Sequence, residues 1–552
     1  MKNLSPGTGK PGLKFPLRLL MPLLLTCMAL PACRQGKHAD KADQKPNIVL
    51  IVADDLGYGD LGCYGASKIS TPAIDELAAG GMRFVNAYAS SSLCSPSRYS
   101  ILTGRYAWRT RLKYGVLKYF DRPLIEKDRT TVASMMKRNG YHTACIGKWH
   151  LGLEWQLNEN APADPEQSVF NSWAENLQDF IDFSKPVGGG PTDLGFDYFF
   201  GMAGSNNMMP YVFIENDGVT EPPSEPQKAY DHYMNAKKAP NWDIRTINQV
   251  LTRRAVGVIH DHFRDHGTEP LFLYFPASAI HRPCLPTFTK GNSGAGLRGD
   301  MVAELDWTVA EIVKALKEEH AYRNTVLVFT SDNGPRPGDP VYWLDQYKLD
   351  EEDLYLDYFD DYQPSYVDPN GNRIWKNGWL TYGHRASGIY LGFKSDAWDG
   401  GLRVPLIVHW PGKVKGGGLC RNNVCLSDLM ETFADMIGDS LLEGEGRDSY
   451  SFYSSILDPA SPQARTSMTL TGGSSGAFVE IQDEWKYIEA AVPGRWPETF
   501  YPDGPSKFDH QLYHLSDDPS EQKNLYDWMP EKVSEMKDRV STVKMQAGTE
   551  GK

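Results

Sequence analysis

Long apolar runs are missing from this 552-residue chain. Beyond residue 30, none is long enough to cross a bilayer as a helix. Internal repeats and low-complexity tracts are absent too, which excludes a solenoid or an array. Cysteine is scarce, eight in all, and no two have the Cys-x-x-Cys spacing of a zinc site. Positive charge is in deficit, 57 Lys and Arg against 70 Asp and Glu, for a net charge of −13. Such a chain is by default a poor partner for nucleic acid. An anionic substrate would have to meet bases gathered locally against the overall field. What the chain does have is length, enough for one large domain and a smaller one.

Residues 1–32 hold four bases, Lys2, Lys10, Lys14 and Arg18, and no acid. The apolar run Leu19 to Leu30 follows, too short for a permanent span, and the pattern is that of an export leader. Leu30-Pro31-Ala32-Cys33 resembles a bacterial lipobox, with lipid added to Cys33; plain secretion with cleavage nearby is the alternative. Residues 33–45 are polar and free of aromatics, as a tether should be. The expected location is the bacterial cell envelope, in the periplasm or on the outer membrane, with contact to the membrane only through the lipid. Beyond Cys27, Cys33 and Cys94 five cysteines remain, so at least one stays free or pairs outside the chain. Cys420 and Cys425 are placed to close a small loop.

Asn47 to Ala53 is a continuous apolar run rich in β-branched residues, which reads as a strand buried on both faces of a parallel sheet. Asp54 and Asp55 follow at its carboxyl end, where open α/β sheets place their sites. Adjacent acids there suit either a tight turn or a cation. Thr325 to Thr330 is a second buried strand, and Ser331-Asp332-Asn333-Gly334 ends it with more hard oxygens. Alone this is a plausible turn; with Asp54 and Asp55 it makes a donor set for Ca²⁺ or Mg²⁺. Capped helices are expected over 71–80 and 130–140, each stopped by Gly. Strands are expected at 84–88, 141–146, 211–214, 271–275 and 406–409, and amphipathic helices over 242–264 and 301–316. Lys148 and His150, at i and i+2 on extended chain, would share a face. His281 follows the strand 271–275, and Lys394 lies in a loop before Gly400-Gly401. Asn206 to Asn216 is expected to approach the substrate, with no role given to any one of its residues.

Cys94-Ser95-Pro96-Ser97-Arg98, with Leu102-Thr103-Gly104 behind it, resembles the signature of the formylglycine-dependent sulfatases, of the arylsulfatase-like type in the alkaline phosphatase superfamily. Further segments similar to that family occur in order: Asp54-Asp55, Gly147-Lys148-Trp149-His150, His281-Arg282-Pro283, Asp332-Asn333-Gly334, Lys394 with Asp399-Gly400-Gly401-Leu402-Arg403-Val404-Pro405, and a tail ending at Asn524-Leu525. Asp399 stands where the family usually has Glu. The resemblance implies that Cys94 is oxidised to formylglycine (3-oxoalanine) by a maturation enzyme. It also implies a divalent metal, calcium or magnesium, on Asp54, Asp55, Asp332, Asn333 and residue 94. Arg98, Lys148, His150, His281 and Lys394 would be catalytic, with Lys148, His281 and Lys394 touching the sulfate. Pro96 in a first helical turn would put residue 94 at a helix N-terminus, which favours an anion.

The alternation of buried strands and capped helices gives an α/β fold, and the resemblance makes it an alkaline-phosphatase-like sandwich, a large mixed sheet flanked by helices. The expected division is a leader over 1–32, a tether over 33–45, a catalytic domain over 46–444 and a C-terminal α+β subdomain over 445–552 with an antiparallel sheet. Residues 335–383 form an insertion with eleven aromatics and ten acids against four bases, suited to sugar rings or simply a variable loop. The expected activity is sulfate ester hydrolysis on sulfated carbohydrates. The alternatives are a phosphate or phosphonate ester hydrolase of the same superfamily and a non-catalytic glycan-binding lipoprotein.

Overall fold

A computed structural model of the chain describes residues 45–161, 177–227, 236–267, 269–336, 364–367, 373–375, 383–472, 476–489 and 510–548. The leader, Cys33, most of the tether and most of the 335–383 insertion lie outside these residues.

The centre is a ten-stranded mixed sheet. Its strands in chain order are β1 (Asn47–Ala53), β2 (Met82–Phe84), β3 (His142–Lys148), β4 (Tyr198–Met202), β5 (Ile214–Glu215), β6 (Gly218–Val219), β7 (Leu271–Pro276), β8 (Thr325–Ser331), β9 (Leu406–His409) and β10 (Gly418–Cys420). The spatial order is β10-β2-β9-β8-β1-β7-β3-β4-β5-β6. The inner strands β8, β1, β7, β3 and β4 run parallel, so their carboxyl ends open on one edge. β9 enters antiparallel to β8. Every residue of β1 and β8 is buried, as their unbroken apolar runs require. Asn47 fixes their register at the amino end: its Oδ1 accepts from the Leu271 amide at 2.9 Å and its Nδ2 donates to Thr325 Oγ1 at 3.3 Å.

The helices that matter here are α1 (Pro72–Ala79), α2 (Cys94–Thr103), α3 (Val132–Arg138), α4 (Ile247–Asp265), α5 (Gly296–Glu318), α6 (Leu429–Ile437) and α7 (Pro530–Gly548). α1 begins after Thr71 with Pro in its first turn, as its sequence demands. α2 is unusual in being buried along all ten of its residues. A polar helix survives there only if its side chains find partners. Ser97 Oγ donates to the Ser91 carbonyl at 2.8 Å, Ser100 Oγ to that of Pro96 at 3.1 Å and Thr103 Oγ1 to that of Tyr99 at 2.7 Å.

Several expectations need correction. The strand expected at 84–88 is two short strands, Met82–Phe84 and Ala87–Tyr88. Of 211–214 only Ile214 is in a strand, because Tyr211 to Phe213 turn inward, fully buried, and the chain pairs only briefly with Lys238. Cys420 and Cys425 are both free thiols, so they close no loop. They belong to different strands on different sheets, β10 and the short strand Val424–Cys425.

The C-terminal sheet is antiparallel, β11 (Ser467–Gly472), β12 (Ala477–Gln482), β13 (Trp485–Ile488) and β14 (Gln511–His514), in sequential order. A buried ionic group ties it to the loop before β9. Lys486 Nζ lies 2.8 Å from Asp399 Oδ1 and 2.7 Å from Glu521 Oε1, and all three side chains are inaccessible. Arg403 Nη2 closes on Asp399 Oδ2 at 2.7 Å. Removing one member of such a group leaves charges buried without a partner, so Lys486→Met is expected to cost about 3–5 kcal/mol, read by chemical denaturation. Burial pushes the Glu521 carboxyl up to about 8, with Asp399 adding to the rise and Lys486 opposing it. A raised folded pKa gives stability that is complete below the unfolded value and lost as pH rises through the folded one. The wild-type thermal midpoint should therefore fall relative to that of Glu521→Gln as pH rises from about 5 to 8. Parallel curves for the two would remove Glu521 as the source.

Candidate active site

The site forms where the parallel strands end. β1 delivers Asp54 and Asp55, β8 delivers Asp332 and Asn333, and β3 ends at Lys148 with His150 two residues on. The loop after β7 is zipped onto β1: the Asp54 amide donates to the Ala279 carbonyl at 3.0 Å and the Ile280 amide to that of Asp54 at 2.9 Å. This carries His281 alongside Asp55, with Nε2 3.9 Å from Oδ2. Two glycines in the motifs are steric necessities. A Cβ on Gly147, whose φ is 140°, would lie 2.0 Å from the Pro276 carbonyl oxygen, and one on Gly334 would lie 1.9 Å from that of Gly400.

Cys94 opens α2, with Leu93 as its extended N-cap, so residue 94 lies at the positive end of the helix. Its Sγ is 3.6 Å from Asp54 Oδ1 and accepts from Lys394 Nζ at 3.2 Å. Arg98, one turn on, donates from Nε to Asp332 Oδ2 at 2.9 Å and from Nη1 to the Lys148 carbonyl at 3.1 Å. Its Nη2 stands 3.7 Å from Asp54 Oδ1. The guanidinium therefore braces the carboxylates and the end of β3. Lys148 Nζ donates to Asp54 Oδ2 at 2.6 Å, and Lys394 Nζ pairs with Asp55 Oδ1 at 2.5 Å. The Lys394 loop is pinned by its own amide on the Pro335 carbonyl and by that of Ser395 on Ser92.

Asp54, Asp55, Cys94 and Asp332 each offer an atom within 4.8 Å of the others, and all four are buried. Two oxygens in this cluster, Asp55 Oδ2 and Asn333 Oδ1, are buried without a hydrogen bond. Orphaned buried oxygens are costly, and a divalent cation is the partner that oxygen donors of this kind fit. Three carboxylates face three basic side chains, Arg98, Lys148 and Lys394. A divalent ion added to that balance leaves the pocket cationic, which resolves how an acidic chain receives an anion.

The titrating groups follow from burial. Burial alone would raise the Asp55 carboxyl, but Lys394, His281 and Lys148 outweigh it and hold it well below the usual carboxylate range. Burial pushes the Cys94 thiol up to about 12 against the pull of Lys148 and Lys394. It holds both His150 and His281 well below the ordinary imidazole value. His150 Nε2 donates to the Leu117 carbonyl at 2.9 Å, which leaves Nδ1, buried and unpartnered, as the basic nitrogen. The expectation that Lys148 and His150 share one face of extended chain is corrected: the strand ends at Lys148, and His150 is left-handed, φ 57°. Asp55 (φ 64°) and Ser395 (φ 77°), beside Lys394, are left-handed too. Three non-glycine residues in that region around one cluster mark a strained, held site.

All ten residues singled out from the sequence as metal ligands or catalytic groups meet here. Three that were not singled out lie beside them. Asp60 takes a two-armed ion pair from Arg298 at 2.7 Å and a 2.8 Å bond from His384 Nε2, and Arg298 also donates to the Asp55 carbonyl at 3.1 Å. Arg298 is on α5 and His384 follows the insertion, so only the fold unites them.

The family model for sulfatases matches residues 46–438. An N-acetylgalactosamine-6-O-sulfatase of Bacteroides thetaiotaomicron is 32% identical over 95% of this chain and 98% of its own length. Human arylsulfatase A is 28% identical over 87% of this chain and 83% of its own. A solved structure from work on glycosaminoglycan metabolism by Bacteroides thetaiotaomicron superposes with a TM-score of 0.71 at 30% identity, covering 91% of this chain and all of that one. A match of this extent to the family model and to its members assigns the chain: it belongs to the sulfatase family and hydrolyses sulfate esters.

Proposed function

We propose that the ester is carried on a carbohydrate and that residue 94, oxidised to formylglycine by a maturation enzyme, is the nucleophile. The observation that carries this reading is Cys94 itself, set at the positive end of a buried helix between Asp54 and Lys394. A thiol held protonated by burial is a poor nucleophile, whereas the hydrated aldehyde supplies an oxygen for attack on sulfur. A calcium or magnesium ion on Asp54, Asp55, Asp332, Asn333 and residue 94 would supply Lewis-acid stabilisation of the charge on the sulfate oxygens.

The chain's own residues do the rest. Lys148 and Lys394 bring two ammonium groups to the sulfate oxygens in a water-poor pocket, where fixed charge stabilises most. Arg98 keeps Asp332 and Asp54 in place. His281, with Lys394, serves the leaving alcohol, and His150 Nδ1 accepts the proton whose departure from residue 94 expels sulfate. The carbohydrate reading is supported by the names of the relatives, one an N-acetylgalactosamine-6-O-sulfatase. The envelope location, with a leader over 1–32 and lipid on Cys33, is supported by the sequence pattern, as is a catalytic unit over 46–444.

The test is a matched panel: N-acetylgalactosamine 6-sulfate, 4-nitrophenyl sulfate and 4-nitrophenyl phosphate. Cleavage of both sulfates, with the sugar ester preferred in kcat/KM, is the expected result. Preference for the phosphate would replace this reading with that of a phosphate ester hydrolase. Sugar binding without turnover by protein carrying the aldehyde would replace it with a binding role.

A further inference from the structure

We infer that Asn206 is a positioning residue for this reaction, holding His281 so that Nε2 meets the leaving oxygen. The inference rests on the reading of His281 as the group that serves the leaving alcohol.

Asn206 lies four residues beyond β4, in the loop that follows it, and is nearly buried. Its carboxamide grips His281 at two points. Nδ2 donates to the His281 carbonyl at 3.4 Å, and Oδ1 faces His281 Nδ1 at 3.3 Å. Only one orientation of the amide satisfies both contacts. The Arg282 carbonyl also faces Nδ1, at 2.8 Å. Two oxygen acceptors around one ring nitrogen require a proton there. The other nitrogen, Nε2, is then the one that works, and it points to the side of Asp55. The Arg282 contact is a backbone contact within the same loop and fixes the tautomer. Asn206 comes from a different strand connection, 75 residues away, and fixes where the ring stands relative to β4. In the neutral ring Nε2 carries no proton; the bound anionic ester favours the imidazolium, and as the bond from sulfur to the ester oxygen breaks, that oxygen takes the Nε2 proton and leaves the ring neutral with its remaining proton on Nδ1. A ring free to rotate or recede would present this proton poorly.

Need for this proton depends on the leaving group. An acidic phenol departs with little help, and a sugar alcohol does not. Asn206→Ala is therefore expected to lower kcat on N-acetylgalactosamine 6-sulfate by about 10- to 100-fold. On 4-nitrophenyl sulfate it should change kcat by less than about threefold, with KM little altered on either. Asn206→Asp keeps the oxygen acceptor at Nδ1 but loses the donor to the His281 carbonyl, and should restore part of the sugar-sulfate rate. His281→Ala serves as the reference and should show the same dependence on leaving group more strongly. An equal fall on both esters for Asn206→Ala, or no fall on either, while His281→Ala remains selective, would overturn the role of Asn206 alone. Loss of selectivity in His281→Ala would overturn the underlying reading of His281 and the inference with it. A thermal midpoint for Asn206→Asp matching that of the wild type separates positioning from damage to the fold.

Discussion

Cys94→Ala is expected to remove sulfate ester hydrolysis almost completely, by about 10⁵-fold or more, the scale on which an enzyme loses rate with its nucleophile. Stability should change little, because the thiol's two side-chain contacts, Asp54 at 3.6 Å and Lys394 at 3.2 Å, are both weak for sulfur. The reason for so large an effect is geometric. Cys94 is the one thiol among the described residues that shares the cluster of Asp54, Asp55 and Asp332. The thiol alone cannot carry the chemistry, since burial pushes it up to about 12 and leaves it protonated at neutral pH. Active protein should accordingly show a residue-94 peptide roughly 18 Da lighter than its thiol form, the mass lost when CH₂SH becomes CHO. Full activity from protein that retains only the thiol would sink the formylglycine mechanism. So would wild-type turnover by Cys94→Ala.

The parts of this site that the sequence discloses are those written locally. Ile48 to Ala53 and Val326 to Phe329 are apolar without interruption, and acids just beyond their ends have no business there unless something binds them. The C-terminal antiparallel sheet is legible for the same reason, short β-rich runs between turns. Lys394 is different. Nothing around it distinguishes it from any loop lysine, and only the resemblance points to it. Its place beside Cys94 spans 300 residues of chain. Asn206 is wholly illegible, because its function is a contact with a loop that arrives 75 residues later. The same holds for Lys486, which with its partners Asp399 and Glu521 draws on three segments that only packing unites. Left-handed His150 breaks a rule that local reasoning uses, alternation along extended chain. Such breaks gather at sites where the fold holds a residue against its preference.

Asp332 is where the proposed cation and the protein's own charges would meet, and its replacement should have the second largest effect. Asp332→Asn is expected to lower kcat/KM by about 10³-fold, the scale of losing one preorganised electrostatic contact to a transition state. Asn is the better probe than Ala. Asp332 Oδ2 takes Arg98 Nε at 2.9 Å and Nη2 at 2.7 Å, and Oδ1 takes the Asp55 amide at 3.3 Å. Alanine would strand the guanidinium, fully buried, and cost about 3–5 kcal/mol, so that unfolding would mask chemistry. Asparagine keeps an oxygen for the Asp55 amide and removes the charge. A second measurement reads the cation without turnover. If the cluster binds Ca²⁺ or Mg²⁺ in the native state only, adding the ion at 100 times its Kd stabilises by about 2.7 kcal/mol, and chelation removes this. The wild type should show that shift in thermal midpoint, and Asp332→Asn should lose most of it. With the carboxylate gone, Arg98 faces the ion's place with its charge uncompensated on that side, and repulsion adds to the lost ligand. A variant that kept both the shift and the rate would remove Asp332 from the metal site and leave it a brace for Arg98.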